Sequence, residues 1–214
     1  MVELLLFDYD ERIVKAFQQI FQNHDRYDDQ NMKIRAIQQS DVRNLENVDV
    51  FVSPANSRGW MDGGIDEIYM GMFPGVQELV KGSIRDRSAH RIQGTVPVLP
   101  VGSALLVNLK PLGFQQELIC APTMSVPQPI AKRPENVYYA MVAILKVCQR
   151  LSPGKIVAIP GLGTGVGRIS PKTCATMMFK AYQDVQEGTV TYPDGVSGFK
   201  AGEGDYLLNR PFTH

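Results

Sequence analysis

The feature that most limits the fold is an unbroken succession of helix, strand, loop and helix late in the chain. Residues 136–151 put Val137, Ala140, Met141, Ile144, Leu145 and Cys148 on one face at helical spacing. Ser152-Pro153-Gly154 closes that helix. Residues 155–160 read as an apolar strand of the kind buried in the middle of a parallel sheet. Then come Gly161-Leu162-Gly163-Thr164-Gly165-Val166-Gly167, and Ser170-Pro171 as N-cap and first residue of a last helix to about residue 186. Such a unit buries its strand only if helices cover both faces of a sheet, so the chain reads as a layered α/β protein.

The preceding segments agree. Strands are predicted at 2–7, 32–37, 48–53, 103–109 and 117–120. Residues 11–21 form an amphipathic helix through Ile13, Val14, Phe17, Ile20 and Phe21. A helix over 65–72 is broken at Pro74-Gly75 and resumes over 76–85. Residues 124–134 contain three prolines and read as an extended surface loop. The expected organisation is one domain over 1–186 and a Gly-rich, weakly ordered tail over 187–214 that packs on the domain or extends from it.

Composition excludes several classes of function. With 22 basic and 22 acidic residues among 214, the chain lacks the basic excess of a nucleic-acid binder. The dense patch over 81–91, with Arg85, Arg87, His90 and Arg91, reads as a solvated helix end. No apolar stretch is long enough for a membrane span, and Glu3, Asp8 and Asp10 argue against a signal peptide. Cys120, Cys148 and Cys174 are odd in number and far apart, which suggests buried free thiols in a reducing, cytoplasmic setting. His24, His90 and His214 lack carboxylate or cysteine partners at ligand spacing, so no metal is expected and they read as surface residues.

Chemistry concentrates in two loops. The later one has four glycines in seven residues. Backbone N–H groups there, beside a helix N-terminus, would make a nest for phosphate. It lacks the lysine of a Walker loop, and Val166 stands where a dinucleotide fingerprint needs its third glycine. The earlier loop follows the third strand. There Asn56 can both donate to and accept from sugar hydroxyls, Gly63-Gly64 allows close backbone approach, and Asp66 can accept a hydroxyl proton or position a water. Singly, Asn56 is most simply a turn former and Asp66 a helix cap. Paired with the later loop, they suggest a nucleotide-sugar site at the carboxyl edge of a sheet.

In order and spacing these residues resemble the macro domain. The resemblance rests on Asp41, on Ser53-Pro54-Ala55-Asn56, on Gly63-Gly64-Ile65-Asp66, and on the strand into Gly161-Leu162-Gly163-Thr164-Gly165-Val166-Gly167, and it spans about 32–186. The family pattern has Asn-Ala-Ala-Asn, a triple glycine with Val-Asp, and Gly-x-Gly/Ser-Thr-Gly. The variant here is similar to a divergent branch seen in bacterial and phage proteins. The resemblance implies a three-layer α/β/α macro-domain-like fold with a mixed, mostly parallel central sheet, and ADP-ribose or a derivative as small-molecule ligand.

The same resemblance implies residue roles. Asp41 would accept from the adenine amino group. Ala55 and Asn56 would border the distal ribose, with Asn56 holding it. Gly63, Gly64 and Ile65 would offer backbone groups to phosphate and ribose. Gly161, Gly163, Thr164, Gly165, Val166 and Gly167 would wrap the diphosphate. Asp66, with Asn56, would serve catalysis near the anomeric carbon in those members that are hydrolases. Partners would be the ligand or an ADP-ribosylated protein, with no nucleic acid, membrane or cofactor. Three departures stand out: Asp62 replaces the first of three glycines, Val166-Gly167-Arg168 lacks the aromatic that many members carry there, and Trp60 offers an aromatic from the other loop. Arg168 would add a charge contact to phosphate. Two readings follow, a hydrolase of ADP-ribose derivatives and a non-catalytic binding or sequestering module. A third is a phage-type structural or assembly protein that keeps the fold.

Overall fold

A computed structural model describes residues 1–28, 31–88, 97–191 and 207–208. The chain alternates β1 (Val2–Asp8), α1 (Glu11–Ile20), β2 (Met32–Gln39), β3 (Val50–Ser53), α2 (Ile65–Met72), α3 (Val76–Ser88), β4 (Leu105–Asn108), β5 (Glu117–Cys120), α4 (Glu135–Cys148), β6 (Ile156–Pro160) and α5 (Pro171–Glu187), with a two-residue β7 (Leu207–Leu208). The strands lie in the order β2-β1-β6-β3-β5-β4-β7. Every neighbouring pair is parallel except β4 with β5, which a short turn through Gly113 makes antiparallel. The expected mixed, mostly parallel sheet is therefore present.

Strand alternation divides the core in two. Leu4, Leu6, Val50, Val52, Val157 and Ile159 face one layer, packed by α1, α4 and α5. Leu5, Phe7, Phe51, Ala158, Leu118 and Cys120 face the other, packed by α2 and α3 through Tyr69, Phe73, Val76, Val80 and Ile84. Two apolar faces on one sheet demand two helical layers. α4 is buried over most of its length, so its one-sided spacing understates how deeply it sits.

Several sequence expectations are corrected. The segment over 124–134 is not simply surface: Met124 and Ile130 are buried, and the Ile130 N–H donates to the Gly167 carbonyl at 2.8 Å. Apolar side chains between the prolines drive that segment inward. β3 starts at Val50 rather than at residue 48, and α3 continues past Arg85 to Ser88. His90, Arg91 and most of the tail lie outside the described residues, although β7 pairs with β4 where no strand was expected. Among the described residues, no helix is long and apolar enough to cross a membrane.

Candidate functional site

β3 and β6 are adjacent and parallel, with Val50 opposite Val157 and Phe51 opposite Ala158. Their carboxyl ends therefore meet at one edge of the sheet, and so do the loops that follow them. β1, parallel on the far side of β6, and β5, parallel on the far side of β3, end at the same edge. The result is a cleft of about 810 Å³, within the usual range for a small-molecule site. It brings together all thirteen residues expected from sequence: Asp41, Ala55, Asn56, Gly63, Gly64, Ile65 and Asp66 on one side, and Gly161, Gly163, Thr164, Gly165, Val166 and Gly167 on the other.

The first lip is shaped by side chains. The Asn56 amide donates to the Trp60 carbonyl at 2.8 Å, and its oxygen accepts from the N–H groups of Arg58 (3.0 Å) and Trp60 (3.4 Å). Both ends of the amide thus hold their own loop. Thr123 braces the base of the lip, its hydroxyl donating to the Pro54 carbonyl and its N–H to that of Ala55. Gly64 caps α2 at φ +62°, a conformation that favours glycine, and no side chain caps the helix. Among the described residues, the N–H groups of Gly63, Gly64 and Ile65 meet no protein acceptor. This is an open helix N-terminus of the kind that binds anions.

The second lip is shaped by the absence of side chains. A Cβ at Gly161 would lie 2.8 Å from Asp8 Oδ2, one at Gly163 would press on Ile130, Val137 and Ile169, and one at Gly167 would run into the Gly163 carbonyl. Gly165 alone opens onto free space. The N–H groups of Gly163, Gly165, Val166 and Gly167 meet no protein acceptor among the described residues. The helix beside this loop is not the open one: Ser170 accepts from the Thr173 N–H and closes α5. The N-cap expected at Ser170 is therefore present, and the open helix end is that of α2 behind the first loop.

The end of β1 supplies a floor that the sequence reading passed over. Asp8 is buried and accepts from the N–H groups of Asp10 (2.9 Å) and Gly161 (3.2 Å), tying the first strand to the glycine loop. Burial raises its pKa against those two hydrogen bonds. Tyr9, Asp10 and Arg12 complete this side. The acidic run after the first strand was the available signal, but only the strand order shows that it reaches the cleft.

The two predicted carboxylates behave in opposite ways. Asp41 takes the Arg43 guanidinium at 2.6 Å and the Arg43 N–H, which hold its pKa down to about 2. Asp66 is buried; desolvation pushes its pKa up to about 7 against the hydrogen bond from Ser53 Oγ (2.6 Å), and Asp62 adds to the rise. Trp60 and Val166, both exposed, sit on facing lips, and Arg168 is not in the lining. Ser53, at the end of β3, gains Asp66 as its partner through the fold. His24, read as partnerless, contacts Asp25 at 3.1 Å and lies near Asp28, far from this cleft. Its other ring nitrogen meets the Phe21 carbonyl, and Asp28 accepts from Tyr182. Cys120, Cys148 and Cys174 are buried and unpaired.

Comparison with known proteins agrees with this architecture. A protein of Aquifex aeolicus described as uncharacterized is 36% identical over 130 residues, 61% of this chain and 70% of that protein. The macrodomain of Mycobacterium tuberculosis DarG superposes with a TM-score of 0.53 at 16% identity, over 69% of this chain and 88% of that one. A variant of the Oceanobacillus iheyensis macrodomain with ADPR gives 0.50 at 20% identity, over 66% and 73%. The sequence profile described as Macro domain matches residues 52–178, from the end of β3 into α5 and across both lips. This chain belongs to the Macro domain family.

Proposed function

We propose that this protein binds ADP-ribose or a closely related nucleotide in the cleft, with the diphosphate between the lips and the distal ribose toward Asn56 and Asp66. The observation that carries this reading is the set of unengaged N–H groups facing each other across the cleft, one set on the α2 N-terminus and one on the glycine loop. The Oceanobacillus iheyensis structure holds ADPR on a similar fold. Asp8, Asp10, Asp41, Asp62, Asp66 and Glu67 line the cleft against one arginine, Arg12, which is already paired with Asp10. A diphosphate is then held by backbone dipoles rather than by cations, and burial that pushes Asp66 up to about 7 lowers the repulsion from that carboxyl. Asp41 is assigned to the adenine end, where its carboxylate stays ionised. Asn56 is assigned to hold the ribose lip in shape.

Hydrolysis of a bond at the distal ribose is the finer reading, and Asp66 favours it. A carboxyl that titrates near neutrality can both take and return a proton at working pH. Titration calorimetry with ADP-ribose tests the binding reading: saturable heat is expected, and no heat at millimolar ligand removes it. Turnover of an ADP-ribosylated substrate by the parent, lost in Asp66→Ala, is expected for the hydrolase. Binding without turnover in the parent would leave a reader or sequestering module.

A further inference from the structure

Ser53, the last residue of β3, has no exposed surface. It shares strand parity with Phe51, so it points into the layer of α2 and α3 rather than that of α4 and α5. There its hydroxyl donates to Asp66 Oδ1 at 2.6 Å. The other groups beside that carboxyl are otherwise engaged or of the wrong kind. Tyr69, on the same helix, donates to the Val52 carbonyl at 3.1 Å. Cys120, opposite Ser53 in the β3–β5 register, is a buried thiol. Asp62 on the first lip is a second carboxylate whose charge opposes ionisation of Asp66. Among the described residues, Asp66 Oδ2 meets no protein donor, and Asp66 lines the cleft.

We propose that Ser53 is a positioning residue of the site: its hydroxyl pins Asp66 Oδ1 against the end of β3, so that Oδ2 is the oxygen that faces the ligand and exchanges a proton there. This rests on the reading of the cleft as the ligand site. The resembling family pattern has asparagine where this chain has Ser53, so the pairing is a property of this sequence rather than of the pattern. Chemically, a hydroxyl hydrogen bond favours the ionised carboxylate and offsets part of the cost of burying it. Remove the hydroxyl and the same carboxyl holds its proton to higher pH; keep a hydroxyl as threonine and it does not.

The test uses ligand-free protein first. Carbon-13 carboxyl NMR follows Asp66 from pH 5 to 9 in the parent, Ser53→Ala, Ser53→Thr and Ser53→Cys, each checked for its fold by circular dichroism. The parent midpoint is expected at about 7. Ser53→Ala should move it up by about one unit, Ser53→Cys by less, and Ser53→Thr should restore it. A midpoint equal to the parent's in folded Ser53→Ala, or in folded Ser53→Cys if the alanine variant does not fold, overturns the proposal. So does a rise in Ser53→Thr as large as in Ser53→Ala. Calorimetry with ADP-ribose over the same pH range then asks whether the affinity profile breaks at each variant's own midpoint; a profile that stays put while the midpoint moves also overturns it. Should the parent bind no ADP-ribose, the reading of the cleft fails, while the titration still decides whether Ser53 sets Asp66.

Discussion

The two lips of the cleft present the same chemistry, unengaged backbone N–H groups, but they are built by opposite means. The first is held by side chains: the Asn56 amide is spent on its own loop, and Ser53 pins Asp66. Gly63 and Gly64 have open space around an added Cβ, and Gly64 is needed for its backbone angle. The second lip is held by contact. Gly161 and Gly167 pack so tightly that a Cβ has nowhere to go, Gly163 is crowded and held at φ +70°, and Ile130 closes the loop from outside. Glycine therefore carries two meanings in one site, backbone angle at Gly64 and Gly163 and room at Gly161 and Gly167. Substitutions at the first lip should tune chemistry, and those at the second should break the scaffold.

Gly167→Ala is the most severe test of this contrast. Its methyl meets the Gly163 carbonyl, so the loop must deform. We expect a loss of about 3 kcal/mol of stability and loss of ADP-ribose binding, read by chemical denaturation and calorimetry. An alanine tolerated without cost would mean that the second lip is as adaptable as the first.

Gly165→Glu separates room from chemistry within the same loop. Its Cβ faces open space, so the protein should melt as the parent does. The added carboxylate beside the diphosphate should weaken ADP-ribose at least about 100-fold. Unchanged affinity would show that the loop is only a turn.

Asp66→Asn probes the first lip through pH. The folded pKa of about 7 lies above the ordinary 3.8. The native state thus binds this proton more tightly than the unfolded chain, and the stability it contributes is full below pH 4 and lost as pH rises through 7. The amide abolishes that loss. Thermal melts should match the parent near pH 4 and exceed it at pH 8 by about 4 kcal/mol. A parent at least as stable as the variant at pH 8 would mean that Asp66 ionises without penalty.

The smallest effect is expected from Asp62→Asn. Asp62 is exposed and stands where the resembling pattern has glycine. Removing its charge should tighten ADP-ribose by about two- to five-fold at low salt, with the gain shrinking at high salt. Weaker binding would mean that Asp62 contacts the ribose instead of opposing the phosphate.

Much of this site was legible because its elements are local in sequence. An apolar strand, a glycine cluster and a Ser-Pro helix start each announce themselves within a few residues, and the order of Asp41, Ser53 to Asn56, Gly63 to Asp66 and Gly161 to Gly167 sufficed to suggest the fold and the lining. Partnership was not legible. Asn56 reads both as a turn former and as a ligand donor, and only the structure shows its amide bonded to its own loop. The segment over 124–134 reads as surface, yet Ile130 braces the second lip. Asp8 reads as a strand end, yet it bonds to Gly161, 153 residues away in the chain and at the end of the neighbouring strand. These depend on which strands neighbour one another and on which face a side chain emerges.

The sequence by itself determined that a mixed, mostly parallel α/β sheet would carry two glycine-bearing loops after its strands, because periodicity and glycine placement act over a single element. Only the tertiary structure decided how those loops are used. It placed β6 against β3 so that the lips face each other, left α2 rather than α5 with the open helix end, and buried Asp66 against Ser53. Burial and long-range hydrogen bonds set a carboxyl's proton affinity, and neither is a property of neighbouring residues in the chain.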